Sequence, residues 1–539
     1  MTRDVIAIGL YICVIVLTPF AARAEQAPPF PSAASLEKDV LQLGDKSEEV
    51  REIASDHILN SDPKLMPVIE AAAAKLPAGE SAAKAMRVLL ARLRPLAAAR
   101  ARTEEGREAD YQWNRSTALN AYERFGNHDP KWDDLARKAI ELYVSRRGDD
   151  KQAAYEALEH LTSGLNCNDP LIMYFDARLV ERYAPAKVGP IFTTYLAACD
   201  LYFGGKYPAY RQCTAMVRGI EFVAKTNIEK VDAHAKALEQ KWAGIALDLW
   251  PQAVAEPDLT PSSALDLALL VAAAQVRYGA DRVEIIEKML PPFEKAFPKS
   301  AIPLVFKGVG YTDFAWDARG FGYANTVTKE NFQLFADRLQ HAAAALEKAY
   351  EADPTSAQAA TAMMRVELGQ GRGREVMEKW FERAIAADPG HLHQYPGGRD
   401  AYDWKREYLM PRWHGSDELV LAFGHQCAAT RNTYDHVTWG MVEAHEELVR
   451  YLPNKDTYWA KPSVWTDIAP VLLQFVNDNP LDNRARTNYA RLAAQCGQWK
   501  LADEQFKQLG EHADVSLFGG QATFEKTRAR VAEEAAKLR

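Results

Sequence analysis

The sequence predicts an all-α fold, an α/α solenoid of helical hairpins, on the strength of three observations. A nine-residue phrase ending in Asp-Pro at residues 346–354 returns at residues 381–389, a displacement of 35 positions. Apolar residues keep a helical spacing of about 3.6 residues through the segments 217–222, 238–250 and 263–276. No stretch alternates apolar and polar residues for long enough to require a β-sheet. The chain is therefore expected to fold as consecutive pairs of helices.

The repeated phrase reads Leu-Glu-Lys-Ala-Tyr-Glu-Ala-Asp-Pro in the first copy and Phe-Glu-Arg-Ala-Ile-Ala-Ala-Asp-Pro in the second. It resembles the tetratricopeptide repeat, a helical hairpin of about 34 residues that ends in proline. In this register Pro480 takes the terminal position, Gly497 lies at the turn, and Ala502 and Phe506 take the small and aromatic positions of the second helix. The resemblance implies a third hairpin at residues 479–509, and it implies an architecture without naming an activity.

Length and composition restrict the class of protein. A chain of 539 residues is too long for one hydrophobic core, so we expect several domains or an extended stack. Hydrophobic residues make up 48% and charged residues 26% of the chain, which is the balance of a folded protein. The net charge is −8 and becomes −9 without residues 1–24, which contain Arg3, Asp4 and Arg23. An acidic chain with no basic block argues against a nucleic-acid partner.

Residues 1–24 are predicted to be a secretory signal peptide. Arg3 precedes an apolar run at residues 5–20, and Ala-Arg-Ala at residues 22–24 has the small residues that signal peptidase recognises. We therefore expect an exported protein, periplasmic or secreted, whose mature chain begins at Glu25. The alternative is an uncleaved membrane anchor, for which the run is slightly short. No later segment is expected to span a membrane.

Composition and turn residues divide the rest of the chain. Leu-Gln-Leu-Gly-Asp at residues 41–45, followed by Val-Arg at residues 50–51, resembles a HEAT-type helical hairpin. The charged residues 101–112 indicate a linker or an exposed helix. The predicted order after the signal peptide is a Pro-rich leader at 25–35, HEAT-like helices at 36–100, irregular helical hairpins at 113–300, a structured loop at 301–330, tetratricopeptide-like hairpins at 331–392, an aromatic and His-rich insertion at 393–432, and C-terminal tetratricopeptide-like helices with a cap at 433–539.

Two local signals predict helix starts. Asp169 followed by Pro170 combines a good N-cap residue with a good first-turn residue, and Thr328 also precedes a helical pattern. In contrast, residues 316–328 mix glycine, aromatic and β-branched residues, which favours a structured loop across residues 301–330.

The tetratricopeptide resemblance implies a peptide-binding surface on the inner helix of each hairpin. Arginines with polar neighbours could hold carboxylates of a protein or peptide partner through charge-assisted hydrogen bonds. Alternatively, these side chains are solvated or pair with neighbouring acids. The predicted partner-binding residues are Gln358, Thr361 and Arg365 in one hairpin and Arg484, Thr487 and Arg491 in another.

The insertion and the preceding loop form a second candidate site. Half of the histidines lie within residues 391–445, but no spacing of three metal ligands occurs there, so we expect no metal. The aromatic rings could stack on sugar or peptidoglycan, or could pack the insertion onto the helices. The histidines are His391, His393, His414, His425, His436 and His445, and the aromatic residues are Tyr395, Tyr402, Trp404 and Trp413. The candidate ligand site comprises Trp316, Arg319, Trp404, Trp413 and His414.

Catalytic motifs give no further candidates. Gly320 and Gly322 lack the third glycine of a dinucleotide loop, because Asn325 stands at that position. The pair predicts a turn, in which Arg319 beside Trp316 could form a buried charged node. No nucleophile elbow, phosphate loop or Ser-x-x-Lys motif is present. We therefore assign no catalytic residue and no cofactor.

Five cysteines follow residue 24, and none forms a Cys-x-x-Cys pair, so neither a zinc knuckle nor a thioredoxin-like site is supported. In an exported protein Cys199 and Cys213 could form a disulfide, and buried free thiols are the alternative. The five are Cys167, Cys199, Cys213, Cys427 and Cys496.

The specific motifs point to one more resemblance. Trp-Asp-Ala-Arg-Gly-x-Gly-Tyr-Ala at residues 316–324 and Tyr-Leu-x-Pro-x-Trp-x-Gly-Ser at residues 408–416, with the export signal and the repeat doublet, are similar to an uncharacterised family of secreted bacterial helical-repeat proteins. That resemblance implies no activity. The leading interpretation is an exported, non-enzymatic scaffold that binds a protein or peptide. The alternative is a hydrolase or carbohydrate-binding module with a site in residues 391–445 and 316–328.

Overall fold

In the computed structural model, the described residues divide into two compact units, one up to residue 89 and the other from residue 90 onward. The described residues are 33–47, 50–51, 54–55, 58, 65–77, 79–145, 148–183, 187–203, 205–226, 233–320, 322–388, 399–429, 437–478, 480 and 482–538. The predicted signal peptide and most of the leader lie outside these ranges. Within them, no helix is long and apolar enough to cross a membrane.

The first unit contains α1 (Ala33–Gln42) and α2 (Met66–Ala74), which pack against each other, and the start of α3 (Ser81–Phe125). Leu36 and Val40 of α1 are fully buried. The division between the units falls within α3. The composition of residues 101–112 indicated either a linker or an exposed helix. These residues belong to α3, so they are helical.

The second unit is all-helical across its described residues. Its remaining helices are α4 (Asp133–Val144), α5 (Gly148–Glu159), α6 (Pro170–Tyr183), α7 (Val188–Phe203), α8 (Ala209–Thr226), α9 (Ala233–Val254), α10 (Pro261–Arg277), α11 (Arg282–Ala296), α12 (Ile302–Arg319), α13 (Lys329–Ala352), α14 (Ala357–Gln370), α15 (Arg374–Ala387), α16 (Ala401–Tyr408), α17 (Asp417–Ala429), α18 (Gly440–Arg450), α19 (Lys455–Trp459), α20 (Pro462–Asp478), α21 (Asn483–Gln495), α22 (Trp499–Leu509) and α23 (Gln521–Lys537).

These helices pack in two ways. Sequence neighbours pair, as in α6 with α7, α8 with α9, α12 with α13, α14 with α15, and α21 with α22. Alternate helices α8, α10, α12, α14 and α16 also contact one another in series, and they form what we call the inner layer. Paired neighbours combined with a layer of alternate helices define an α/α solenoid, which confirms the predicted fold class.

The predicted helix starts are confirmed. The Oδ1 atom of Asp169 accepts hydrogen bonds from the backbone N–H groups of Leu171 at 2.9 Å and Ile172 at 3.1 Å, directly before α6. The Thr328 hydroxyl accepts one from the Asn331 N–H at 3.1 Å, and α13 begins at the next residue. Both caps satisfy amide groups that a helix N-terminus leaves without a partner.

The third tetratricopeptide-like hairpin is also present. Gly497 joins α21 to α22 with a φ of 72°, a conformation that favours glycine. Ala502 is fully buried and Phe506 is 4% exposed, as their repeat positions require. The register therefore places these residues correctly.

The structured loop predicted at residues 301–330 is wrong over most of its length, because residues 302–319 form α12. A Cβ atom added to Gly308 would lie 2.4 Å from Cγ of Leu346, and one added to Gly310 would lie 2.4 Å from Cδ1 of Ile286. These glycines therefore permit close helix packing and do not mark a turn. Long-range packing has overridden the local propensity that suggested a loop.

The aromatic and His-rich insertion predicted at residues 393–432 is partly helical. It contains α16 and α17, and α16 packs on both α14 and α15. Asp400 and Asp403 form a capping box at the start of α16. Among the histidines and aromatic residues considered above, four lie outside the described residues: His391, His393, Tyr395 and His436.

The five cysteines of the described chain, Cys167, Cys199, Cys213, Cys427 and Cys496, are free thiols, and all but Cys496 are buried. Burial raises the pKa of the Cys167 thiol to about 11 and that of the Cys213 thiol to about 12. At neutral pH these groups are therefore protonated and unreactive.

We predict that Gly308→Ala destabilises the fold by about 1–3 kcal/mol, because the new methyl group overlaps Leu346 in the core. Thermal unfolding should show a lower midpoint. Gly244→Ala in α9 is the matched control, since a Cβ atom there meets nothing within 4 Å and alanine favours the helix. Equal midpoints for the two variants would contradict the packing role of Gly308.

Candidate functional site

The inner layer borders a cavity of about 610 Å³. Helices α8, α10, α12, α14 and α16 all contribute to its wall. One part of the wall is apolar and another part carries arginines, acids and a tryptophan. The apolar residues are Val217, Ile220, Ala224, Leu269, Leu270, Ala273, Ala274, Val276, Val309 and Ala362.

An ion-pair network holds the charged part of this wall. Asp313 on α12 accepts from Arg365 on α14 and lies 3.4 Å from Arg282 on α11. Arg282 also donates to Asp317 at 2.8 Å. Because Asp313 is shared by two guanidinium groups, the network of two arginines and two aspartates ties three helices together.

The ring of Trp404 lies close to two arginines, Arg365 and Arg399. The guanidinium carbon of Arg365 is 5.5 Å from its ring centroid, and that of Arg399 is 5.0 Å away. Both distances are within the range of a cation–π interaction. These contacts orient the ring at the cavity wall, to which Arg365, Arg399 and Trp404 all contribute.

A second aromatic and arginine cluster lies at the end of α12. The rings of Trp316 and Trp413 meet edge to face with centroids 5.5 Å apart. Arg319 lies 5.5 Å from the first ring and 5.0 Å from the second, and it donates to the carbonyl oxygens of Gly320 at 3.1 Å and Gly322 at 3.3 Å. Burial lowers the pKa of the Arg319 guanidinium. The Nε1 atom of Trp316 is buried and has no hydrogen-bond partner.

Glu407 joins the two clusters. Its carboxylate accepts from Arg399 at 3.3 Å, from Arg412 at 2.5 Å and from Nε1 of Trp413 at 2.6 Å. Burial raises the pKa of this carboxyl, but the two arginines and the indole N–H outweigh burial and bring the pKa below its ordinary value. Glu407 is therefore charged at neutral pH.

Positive charge predominates around the site. Arginines outnumber acids five to three, and Arg319 forms no ion pair among the described residues. Arg277 lines the same cavity, while the lining Glu221 is paired with Arg218 and Lys225 at 2.6 and 2.9 Å. The arginines are Arg282, Arg319, Arg365, Arg399 and Arg412, and the acids are Asp313, Asp317 and Glu407. This local excess contrasts with the net charge of −8 of the whole chain.

The structure brings two predicted sets together. Arg365, predicted from the repeat pattern, lies within 6.0 Å of the ring centroid of Trp316, predicted from the loop. Gln358 and Thr361 are buried behind this surface, 7% and 5% exposed, and Gln358 donates to the Ser262 hydroxyl at 2.9 Å. Gln358 therefore links α14 to α10, and neither Gln358 nor Thr361 lines the cavity.

His414 has a packing role in this arrangement. Its ring centroid lies 4.5 Å from that of Tyr408, and Nε2 is 3.1 Å from the carbonyl oxygen of Leu368. Because a carbonyl oxygen can only accept, Nε2 of His414 carries the hydrogen and donates it. A Cβ atom added to Gly371 would lie 3.1 Å from Cε1 of His414, so the ring packs closely against this glycine. Among the described residues, no group of three His, Cys, Asp or Glu side chains is placed to hold a metal.

Arg484, Thr487 and Arg491 belong to another part of the second unit. Both arginines line a cavity of about 440 Å³ formed by residues of α16, α18, α20 and α21 with neighbouring segments. Thr487 is fully buried and accepts from the Asp514 N–H at 3.0 Å. Helix α16 borders both cavities, with Trp404 at the first and Arg406 at the second. The two predicted arginine groups thus lie at separate cavities.

Sequence reasoning missed Arg282, Asp313, Arg399 and Glu407. Arg282 and Asp313 carry no motif, and their importance comes from their contacts with residues 35 and 52 positions away in sequence. Arg399 and Glu407 lie in the segment already singled out for its aromatic residues. These two charged residues flank Trp404 in the sequence, and a charge on each side of a tryptophan could have indicated that they belong to the site.

No protein-family model matches the chain, and no curated protein matches it. Solved structures similar to it include the human IFIT1 dimer with PPP-AAAA and the human IFIT1 dimer with m7Gppp-AAAA. Each is 13% identical with a TM-score of 0.32. The first match covers 96% of both chains, and the second covers 91% of this chain and 97% of the other. The function considered below rests on the geometry of the site.

We predict that Glu407→Gln destabilises the second unit by about 2–4 kcal/mol at neutral pH, because two arginines lose a shared, buried counter-charge. Urea unfolding followed by tryptophan fluorescence measures this change, with the exposed Glu382→Gln as control. The folded pKa of Glu407 is lowered, so its stabilisation is present above the ordinary glutamate pKa of about 4.3 and is lost as the pH falls below it. A difference between wild type and Glu407→Gln that is the same at pH 7 and in acid would contradict this account.

Proposed function

We propose that this protein is an exported helical-repeat scaffold that binds an extended segment of a protein or peptide partner along its inner layer. The bound segment carries an apolar side chain and a carboxylate. The role requires no chemical transformation of the partner.

The main support for this function is the cavity of about 610 Å³, whose wall combines apolar side chains with a cluster of arginines and a tryptophan. The volume lies within the range of about 300–1,000 Å³ typical of ligand sites. An apolar side chain fits against Leu269, Val276 and Val309. A carboxylate can accept hydrogen bonds from Arg365 and Arg399, because each of these arginines shares its own acid with a second arginine and keeps further N–H donors.

The charge distribution favours an acidic peptide over a nucleic acid. A polynucleotide requires a stripe of positive charge that neutralises successive phosphates. The chain has a net charge of −8, and the cavity is lined by four arginines against three acids, which is no continuous stripe. A single carboxylate matches this confined excess better than a continuous phosphate backbone does.

The alternative of a carbohydrate-binding module requires free aromatic faces. Around Trp404, guanidinium groups from Arg365 and Arg399 already lie within cation–π distance of the ring. The ring of Trp316 packs against Phe335 and Trp413 at centroid distances of 5.0 and 5.5 Å. These contacts occupy the surfaces that a sugar would need, which makes the peptide the better-supported ligand.

The test uses fluorescein-labelled peptides that carry an apolar residue beside a glutamate, compared with the same peptides carrying glutamine. We expect the glutamate peptides to bind more tightly, and Arg399→Gln to weaken their binding about tenfold, as loss of a charge-assisted hydrogen bond predicts. Fluorescence anisotropy measures both effects. Arg450→Gln, at an exposed residue of α18, is the control and should leave binding unchanged.

Two outcomes would overturn the peptide-binding proposal. One is that no member of the peptide series binds the unaltered protein. The other is that glutamate and glutamine peptides bind equally and Arg399→Gln has no effect.

Export is tested separately. The sequence of residues 1–24 supports cleavage after Ala24, so protein isolated from the exported fraction of cells should begin at Glu25. N-terminal sequencing of protein from each cell fraction measures this. Recovery of the chain only in the cytoplasm with its first residues intact would contradict export, without bearing on peptide binding.

A further inference from the structure

The second cavity has aromatic and acidic walls. Its volume is about 440 Å³, and rings of Tyr402, Trp439 and Phe475 line it together with the carboxylates of Glu443 and Glu446. The Trp439 and Phe475 rings lie 5.0 Å apart between centroids. Aromatic rings beside carboxylates are the surroundings that proteins use to recognise ammonium and guanidinium groups.

The arginines that line this cavity are already paired with acids. Arg406 contacts Asp403 at 2.5 Å and Glu443 at 2.9 Å. Arg491 pairs with Glu446, and Arg484 pairs with Asp514. Their charges are therefore neutralised within the protein.

Acids exceed arginines at the cavity wall. Five acids line it against three arginines, and Glu447 adds another carboxylate 3.6 Å from Nε of Arg406. The lining acids are Asp400, Asp403, Glu443, Glu446 and Asp482. The sequence had suggested that Arg484 and Arg491 bind carboxylates, but this charge balance favours a cation there.

The buried end of the cluster has incomplete hydrogen bonding. Arg406 is 3% exposed and lines the cavity, and its Nε atom has no hydrogen-bond partner. Glu447 is 7% exposed, and its Oε2 atom also has none. Buried charged groups rarely remain unsatisfied without a functional reason. The Nε–H of Arg406 is satisfied only by an acceptor, so it is the acidic excess and the aromatic rings of the cavity wall that favour a bound cation.

We propose that this second cavity binds a lysine or arginine side chain of the same extended peptide whose carboxylate occupies the first cavity. This inference rests on the proposed function. Helix α16 connects the two sites, because Trp404 lines the first cavity while Tyr402, Asp403 and Arg406 line the second. The two cavities on either side of α16 together bind a segment with one acidic and one basic position.

The experiment compares two labelled peptides by fluorescence anisotropy. One carries only the apolar and acidic residues, and the other adds a lysine at increasing distances from the glutamate. The unaltered protein should bind the best lysine peptide about tenfold more tightly than the acidic peptide, since each charge-assisted contact contributes an effect of that order.

Glu443→Gln keeps the shape of the side chain and removes an acid from the cavity. Because burial raises the pKa of Glu443 to about 7, the comparison is made at about pH 8, where this carboxyl is charged. The substitution should abolish most of the gain from lysine and leave the affinity for the acidic peptide unchanged. Glu446→Gln provides a second variant with the same expected effect, and Glu382→Gln at an exposed position is the control. Circular dichroism verifies that each variant is folded.

The outcomes separate the two proposals. If the acidic peptide binds and lysine adds nothing at any spacing, the second site is disproved and the first stands. If lysine improves binding equally in Glu443→Gln, Glu446→Gln and Glu382→Gln, general attraction to an acidic protein explains the gain and the second site is again disproved. If neither peptide binds, both proposals fail.

Discussion

Close packing between alternate and neighbouring helices is the constraint on which the second unit depends. At Gly308 and Gly310, α12 approaches Leu346 on α13 and Ile286 on α11 so closely that no Cβ atom can be accommodated without movement. This approach sets the position of α12, which carries Asp313, Trp316 and Arg319. The cavity geometry is therefore a consequence of backbone contact at two glycines.

The charged groups of the site are held by the same packing. Asp313 on α12 reaches Arg365 on α14 because these helices lie next to each other in the inner layer. Asp313, a partly buried acid shared by two arginines, fixes their positions. The outcome is a wall whose arginine donors are held in place, which suits recognition of a carboxylate without reorganisation of the protein.

Helix α16 borders two chemically different cavities. It is only eight residues long, yet it contributes Trp404 to the cationic cavity and Asp403 to the acidic one. Glu407 near its end is bonded to Arg399, Arg412 and Trp413, which fixes this short helix. A short helix held by ion pairs can thus contribute residues to two cavities of opposite charge.

The sequence by itself determined the features that depend on neighbouring residues. Asp169, Thr328 and Gly497 cap or join helices through bonds and dihedral angles within a few positions, so the hairpin architecture could be predicted from them. Only the tertiary structure decided that residues 302–319 are helical, because their glycines face Leu346 and Ile286 and do not form a turn. It also decided which charges meet, since the contact of Arg365 with Asp313 and the separation of Arg365 from Arg491 arise from the stacking of helices far apart in sequence. No local pattern encodes that order.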